Sequence, residues 1–125
     1  RRMNKRVLIA DDEPNIVISL EFLMKREGHA VSIARDGPSA LEAIRGTRPD
    51  LVLLDVMMPG MSGFEVCQAV RADEALAGVK ILMLSAKGRD TDIAKGSAMG
   101  ADAYMTKPFS TKELAEKVRE LLSAA

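Results

Sequence analysis

Two adjacent carboxylates, Asp11 and Asp12, follow the apolar run Val7-Leu8-Ile9-Ala10, and a third, Asp55, follows Leu51-Val52-Leu53-Leu54. Ser85 closes a further run at Leu84, and Lys107 closes Ala101 to Thr106 just ahead of Pro108. A carboxylate at the end of a buried run is costly unless something pairs with it. If the runs are parallel strands, their carboxyl ends lie along one sheet edge, where open α/β sheets bind ligands. Three carboxylates meeting there repel one another, and low-dielectric surroundings enlarge the repulsion. A divalent cation resolves that conflict, and oxygen ligands without His or Cys suit Mg²⁺. Taken singly, each residue has a plainer reading. Asp11 or Asp12 alone is a helix cap, Ser85 alone is loop chemistry, and Lys107 alone is a solvated charge. The coincidence at four strand ends argues for a site.

The elements that would position these groups alternate strictly. Val7 to Ala10 is a wholly apolar strand, and Glu13-Pro14 opens a helix with Ile16, Leu20 and Leu23 on one face and Gly28 as its stop. Ala30 to Ala34 alternates around Ser32, as a strand near a sheet edge does, and Gly37 to Arg45 is a short helix closed by Gly46 and Pro49. Leu51 to Leu54 is a strand buried on both faces. Ser62-Gly63 starts a helix with Phe64, Cys67 and Val70 inward, and Lys80 to Ser85 is the fourth strand. Asp90 to Met99 is a helix with a poor apolar face of Ile93, Ala94, Ser97 and Ala98 around Gly96. Ala101 to Thr106 is the fifth strand. Ser110 and Glu113 form a capping box ahead of the stripe Leu114, Val118, Leu121 and Leu122.

Five strand–helix units call for a parallel sheet with helices on both faces. Both doubly wound strand orders fit that pattern. No Gly-x-Gly-x-x-Gly follows the first strand and no Walker lysine loop is present, so the flavodoxin-like order 2-1-3-4-5 is preferred. The expectation is one domain over residues 1–125, with a core of about 6–122 and a lead-in of 1–5.

Composition excludes several function classes. The 125 residues are 47% hydrophobic, with 18 basic against 18 acidic side chains, so no basic surface for a nucleic-acid backbone is expected. Apolar runs are too short to span a bilayer, and no signal segment opens the chain. Cys67 stands alone, which excludes an internal disulfide and suits a reducing cytoplasm. Aromatic residues make up only 3%, too few for stacking platforms.

The D-D-E after the first strand, D-V-M-M-P-G-M-S-G after the third, S-A-K after the fourth and K-P-F after the fifth resemble the receiver domain of bacterial two-component response regulators. The resemblance runs from about Arg6 to Leu122. It implies that Asp55 accepts a phosphoryl group from a histidine kinase or a histidine phosphotransfer protein. It implies that Asp12, Asp55 and the Met57 backbone carbonyl bind Mg²⁺, with Asp11 acting mainly through a metal-bound water. Lys107 would neutralise one phosphoryl oxygen and Ser85 would hydrogen-bond another, with the Lys107–Pro108 peptide cis. Ser85 and Tyr104 would form the switch: the hydroxyl moves inward and Tyr104 rotates from exposed to buried. The fourth helix, fifth strand and fifth helix would then address a downstream protein or output domain. Met57 and Lys87 hold the positions that tune phosphoryl lifetime. A monomer or a phosphorylation-dependent dimer is implied, although Ala103 replaces an acid found in many receivers that dimerise through the fourth and fifth helices.

The resemblance implies a signalling module rather than an enzyme with a turnover substrate. A competing class is a phosphohydrolase or mutase with an aspartyl nucleophile. Those enzymes carry a second acid two residues on, where this chain has Met57, and need an inserted cap that no loop here can supply. Flavin binding lacks its phosphate loop after the first strand. His29, in a helix-to-strand turn, is expected at the surface, and the eight Met residues are expected as core filler.

Overall fold

The computed structural model describes residues 4–86 and 90–123, with the backbone alone at 90–93. Five parallel strands, β1 (Arg6–Ala10), β2 (Ala30–Ala34), β3 (Leu51–Asp55), β4 (Lys80–Ala86) and β5 (Ala103–Lys107), lie in the order 2-1-3-4-5. Between and after them come α1 (Pro14–Arg26), α2 (Gly37–Thr47), α3 (Gly63–Arg71), α4 (Asp90–Met99) and α5 (Thr111–Ser123).

Side-chain alternation divides the core in two. Val7, Ile9, Leu51, Leu53, Leu82 and Leu84 point to the face covered by α1 and α5. Leu8, Ala10, Val52, Leu54, Ile81 and Met83 point to the face covered by α2 and α3, with Met99 of α4 packed against them. Because β1, β3 and β4 are covered on both sides, their sequences read as unbroken apolar runs. β2 lies at the edge and is mostly half-exposed, as its alternation implies.

Local chemistry sets the helix ends. Pro14 occupies the first turn of α1, where its missing N–H costs nothing. Asp36 caps α2 by accepting from the Ser39 N–H, and Ser62 and Glu65 form a reciprocal capping box on α3. α2 runs through Gly46 to Thr47, longer than expected from the sequence. An isolated helical glycine costs only about 1 kcal/mol, and the stop comes at Arg48, which adopts a left-handed φ of 47°. β5 starts two residues later than expected and includes Lys107. The face of α4 also differs: Ala94, Ser97 and Ala98 are exposed, whereas Gly96 is buried beneath the Tyr104 ring. The far end of α4 is held by α3, where Arg71 Nε donates to the Gly100 carbonyl at 2.8 Å and Arg71 Nη2 pairs with Asp102 at 2.6 Å.

Candidate functional site

Asp11, Asp55 and Lys107 continue the alternation that puts residues 7, 9, 51, 53, 103 and 105 on the α1/α5 side of the sheet. Asp11 extends β1 by donating its N–H to the Ala34 carbonyl at 3.1 Å and is wholly buried, whereas Asp12 is exposed. Asp55 ends β3 and is 4% exposed. Lys107 ends β5, and its stem carries the ammonium back over the strand ends. There Nζ lies 2.9 Å from Asp11 Oδ2, 2.7 Å from Glu13 Oε1 and 3.3 Å from Asp55 Oδ1. The Lys107–Pro108 peptide is cis.

The loop after β3 is held close to α3. Val56 donates to the Leu84 carbonyl, the Met57 N–H reaches Asp55 Oδ1 at 3.4 Å, and the Gly63 N–H bonds the Val56 carbonyl at 2.8 Å. A Cβ at Gly63 would overlap the Asp55 carbonyl oxygen, so only glycine lets α3 begin there.

Burial pushes the Asp55 carboxyl up, the charge of Asp11 adds to that, and Lys107 and the Met57 N–H offset only part of it, leaving it at about 6. Lys107 favours the ionised form of Asp55, but its ammonium is shared with Asp11 and Glu13. Burial alone would lower the Lys107 ammonium, yet the hydrogen bonds to Glu13 and Asp11 and the charges of Asp55 and Asp11 pull it above the ordinary lysine range.

A raised carboxyl has a definite consequence for stability. The folded state holds a proton on Asp55 that the unfolded chain has lost, so metal-free stability falls as pH climbs from about 4 to about 6. Asp55→Asn removes the penalty. It is expected to stabilise the metal-free chain by on the order of 2 kcal/mol at pH 7.5 and by almost nothing below pH 4, as read from urea denaturation at both pH values. Equal gains at both would assign the effect to packing rather than charge.

The donor set fits an oxygen-ligated divalent cation. One carboxylate oxygen from each of Asp11, Asp12 and Asp55 lies within 4.8 Å of the others, with no His or Cys in the group. The two buried acids share one lysine, which leaves excess negative charge for a cation to neutralise.

Ser85 is buried and follows Leu84, the β4 partner of Asp55. Tyr104 points to the other side of the sheet, against Gly96 of α4; Ser85 pairs in register with Thr106, and Met83 with Tyr104. Tyr104 is half-buried, and its hydroxyl oxygen is inaccessible to solvent. Met57 is 59% exposed. Lys87 lies outside the described residues. His29 is corrected from surface to buried: it is 5% exposed, and its Nδ1 accepts the Lys5 N–H at 3.2 Å, because the turn after α1 folds under the start of β1. Glu13 was read from sequence only as a helix opener and proves to be the shortest contact of Lys107. Its place in D-D-E was the available signal, but its partner depended on the fold.

A family model described as the response regulator receiver domain matches residues 7–119. The DNA-binding response regulator MtrA of Mycolicibacterium smegmatis is 46% identical over 120 residues, covering 96% of this chain and 51% of that protein. The chain therefore spans about half the length of the curated relatives it matches. A CheY-like response regulator receiver domain protein from Methanospirillum hungatei superposes with a TM-score of 0.87 at 32% identity, covering 96% of this chain and 94% of that one. The receiver domain of the sensor histidine kinase PA1611 from Pseudomonas aeruginosa, solved with magnesium coordinated in its active-site cleft, has a TM-score of 0.89 at 25% identity. That alignment covers 97% of this chain and 99% of the other.

Proposed function

This chain belongs to the response regulator receiver family, and from that membership we propose that Asp55 is its phosphoacceptor, charged by a histidine kinase or a histidine phosphotransfer protein. The observation that carries the reading is the meeting of Asp11, Asp12 and Asp55 with the Lys107 ammonium at one sheet edge.

Asp12, Asp55 and the Met57 carbonyl would hold Mg²⁺, with Asp11 acting through a bound water. When bound, the ion neutralises carboxylate charge and the oxygens of the incoming phosphoryl group. An Asp55 carboxylate oxygen attacks phosphorus in line, and the bond from phosphorus to the donor imidazole breaks as the acyl phosphate forms. Asp55 must be ionised to do this, and its place at the end of a fully paired strand fixes its approach. Lys107 stabilises charge on one phosphoryl oxygen and Ser85 donates to another. Met57, beside the acceptor and exposed to solvent, and Lys87 would tune how long the phosphoryl group survives.

Ser85 and Tyr104 would relay the change to the surface of α4, β5 and α5. Gly96, under the Tyr104 ring, makes α4 responsive to that side chain: a Cβ there would lie 3.2 Å from the ring. The regulated partner would be a downstream protein or output domain, with no nucleic-acid contact by this domain and with action in the cytoplasm. No helix among the described residues is long and apolar enough to cross a membrane.

Incubation with Mg²⁺ and acetyl phosphate tests the assignment. Intact-mass measurement is expected to show one added phosphoryl group, absent in Asp55→Asn and after chelation of the metal. Steady release of phosphate from many organic phosphates would instead favour a phosphohydrolase.

A further inference from the structure

An ammonium has three N–H donors, and each donor of Lys107 has a carboxylate to meet: Glu13 at 2.7 Å, Asp11 at 2.9 Å and Asp55 at 3.3 Å. The shortest contact is to Glu13 and the longest to the acceptor, so the ammonium is drawn off Asp55. A phosphoryl oxygen on Asp55 would compete with Glu13 and Asp11 for the ammonium, and drawing Nζ toward Asp55 would lengthen one of those two bonds.

The surroundings decide which bond gives way. Asp11 is wholly buried, and its Oδ1 already accepts the Glu13 N–H at 2.9 Å, so freeing its second oxygen would strand a charge away from water. The Glu13 side chain is 58% exposed, and water can replace the ammonium there at little cost.

Resting on the assignment of Asp55 as acceptor, we propose that Glu13 is a positioning residue that holds Lys107 away from Asp55 and so restrains phosphoryl acceptance. It touches neither donor nor phosphorus, and it acts through the lysine alone.

Two substitutions separate holding from simple repulsion of an anionic donor. Glu13→Gln removes the charge, whereas Glu13→Asp keeps it on a stem one methylene too short to reach Nζ. With the whole chain, saturating Mg²⁺ and a range of acetyl phosphate concentrations, both variants are expected to raise the maximal rate of Asp55 phosphorylation about threefold. The half-saturating donor concentration should not change. In the metal-free protein without donor, the Lys107 ammonium signal in ¹⁵N–¹H spectra should move in both variants. Rates equal to wild type, or an unmoved ammonium signal, would overturn the proposal. So would a Glu13→Asp variant that matches wild type while Glu13→Gln lowers only the half-saturating concentration. Failure of the wild-type chain to gain a phosphoryl group on Asp55 is a different result, and it would remove the acceptor assignment itself.

Discussion

Lys107→Met is expected to lower the stability of the metal-free chain by about 3 kcal/mol at pH 7.5 and to slow acceptance of a phosphoryl group by about a hundredfold. Methionine keeps most of the aliphatic stem, so what is lost is the ammonium. Its removal leaves Asp11, wholly buried, and Asp55, nearly so, facing each other without the cation that now contacts both. The Asp55 carboxyl would be driven further above the ordinary range than it already is. The folded state then binds protons that the unfolded chain releases, so the deficit grows as pH rises and shrinks as pH falls. Urea denaturation at pH 7.5 and pH 5 should show the larger loss at the higher value. A loss of the same size at both would mean that the stem, rather than the charge, was stabilising.

Gly63→Ala is the second large effect, with an expected cost of about 2–3 kcal/mol and a loss of Mg²⁺-dependent phosphorylation in the molecules that still fold. The new methyl would meet the Asp55 carbonyl oxygen, the Asp55 carbonyl carbon and the Val56 Cα, all of them backbone. Backbone paired in a central strand cannot swing aside as a side-chain tip can. Relief must come from moving α3 or from displacing the end of β3 that carries Asp55, and either disturbs the site. Gly46→Ala is the control. A Cβ there meets nothing within 4 Å and sits inside α2, so this change is expected to stabilise by up to about 1 kcal/mol. Thermal or urea melts of the two variants should therefore shift in opposite directions; a shift in the same direction would remove the steric account of Gly63.

β1, β3 and β4 were legible because they are buried on both faces, which leaves a continuous apolar signal broken only where the chain reaches the sheet edge. Asp11, Asp55, Ser85 and Lys107 stood out as polar residues at the ends of such runs. Helix starts were legible where a side chain supplies the cap, as at Ser62 with Glu65 or at Ser110. The stop of α2 was not, because Gly46 in a helix is a modest cost that packing of Ala40, Leu41 and Ile44 outweighs. His29 was misplaced because its burial depends on the chain just ahead of β1 passing over it, a contact between residues 24 positions apart.

What the amino-acid sequence by itself determined is the alternation of strand and helix and the set of polar groups that the sheet edge must hold. Both follow from period and from the cost of burying unpaired charge, which act locally. Only the tertiary structure decided how one ammonium is divided among three carboxylates, and that Glu13 rather than Asp55 has the shortest share. The same holds for the buried place of Gly96 beneath Tyr104 and for the clasp of Arg71 on the end of α4. These are choices between partners far apart along the chain. They are settled by distances of a few tenths of an ångström that no local pattern encodes.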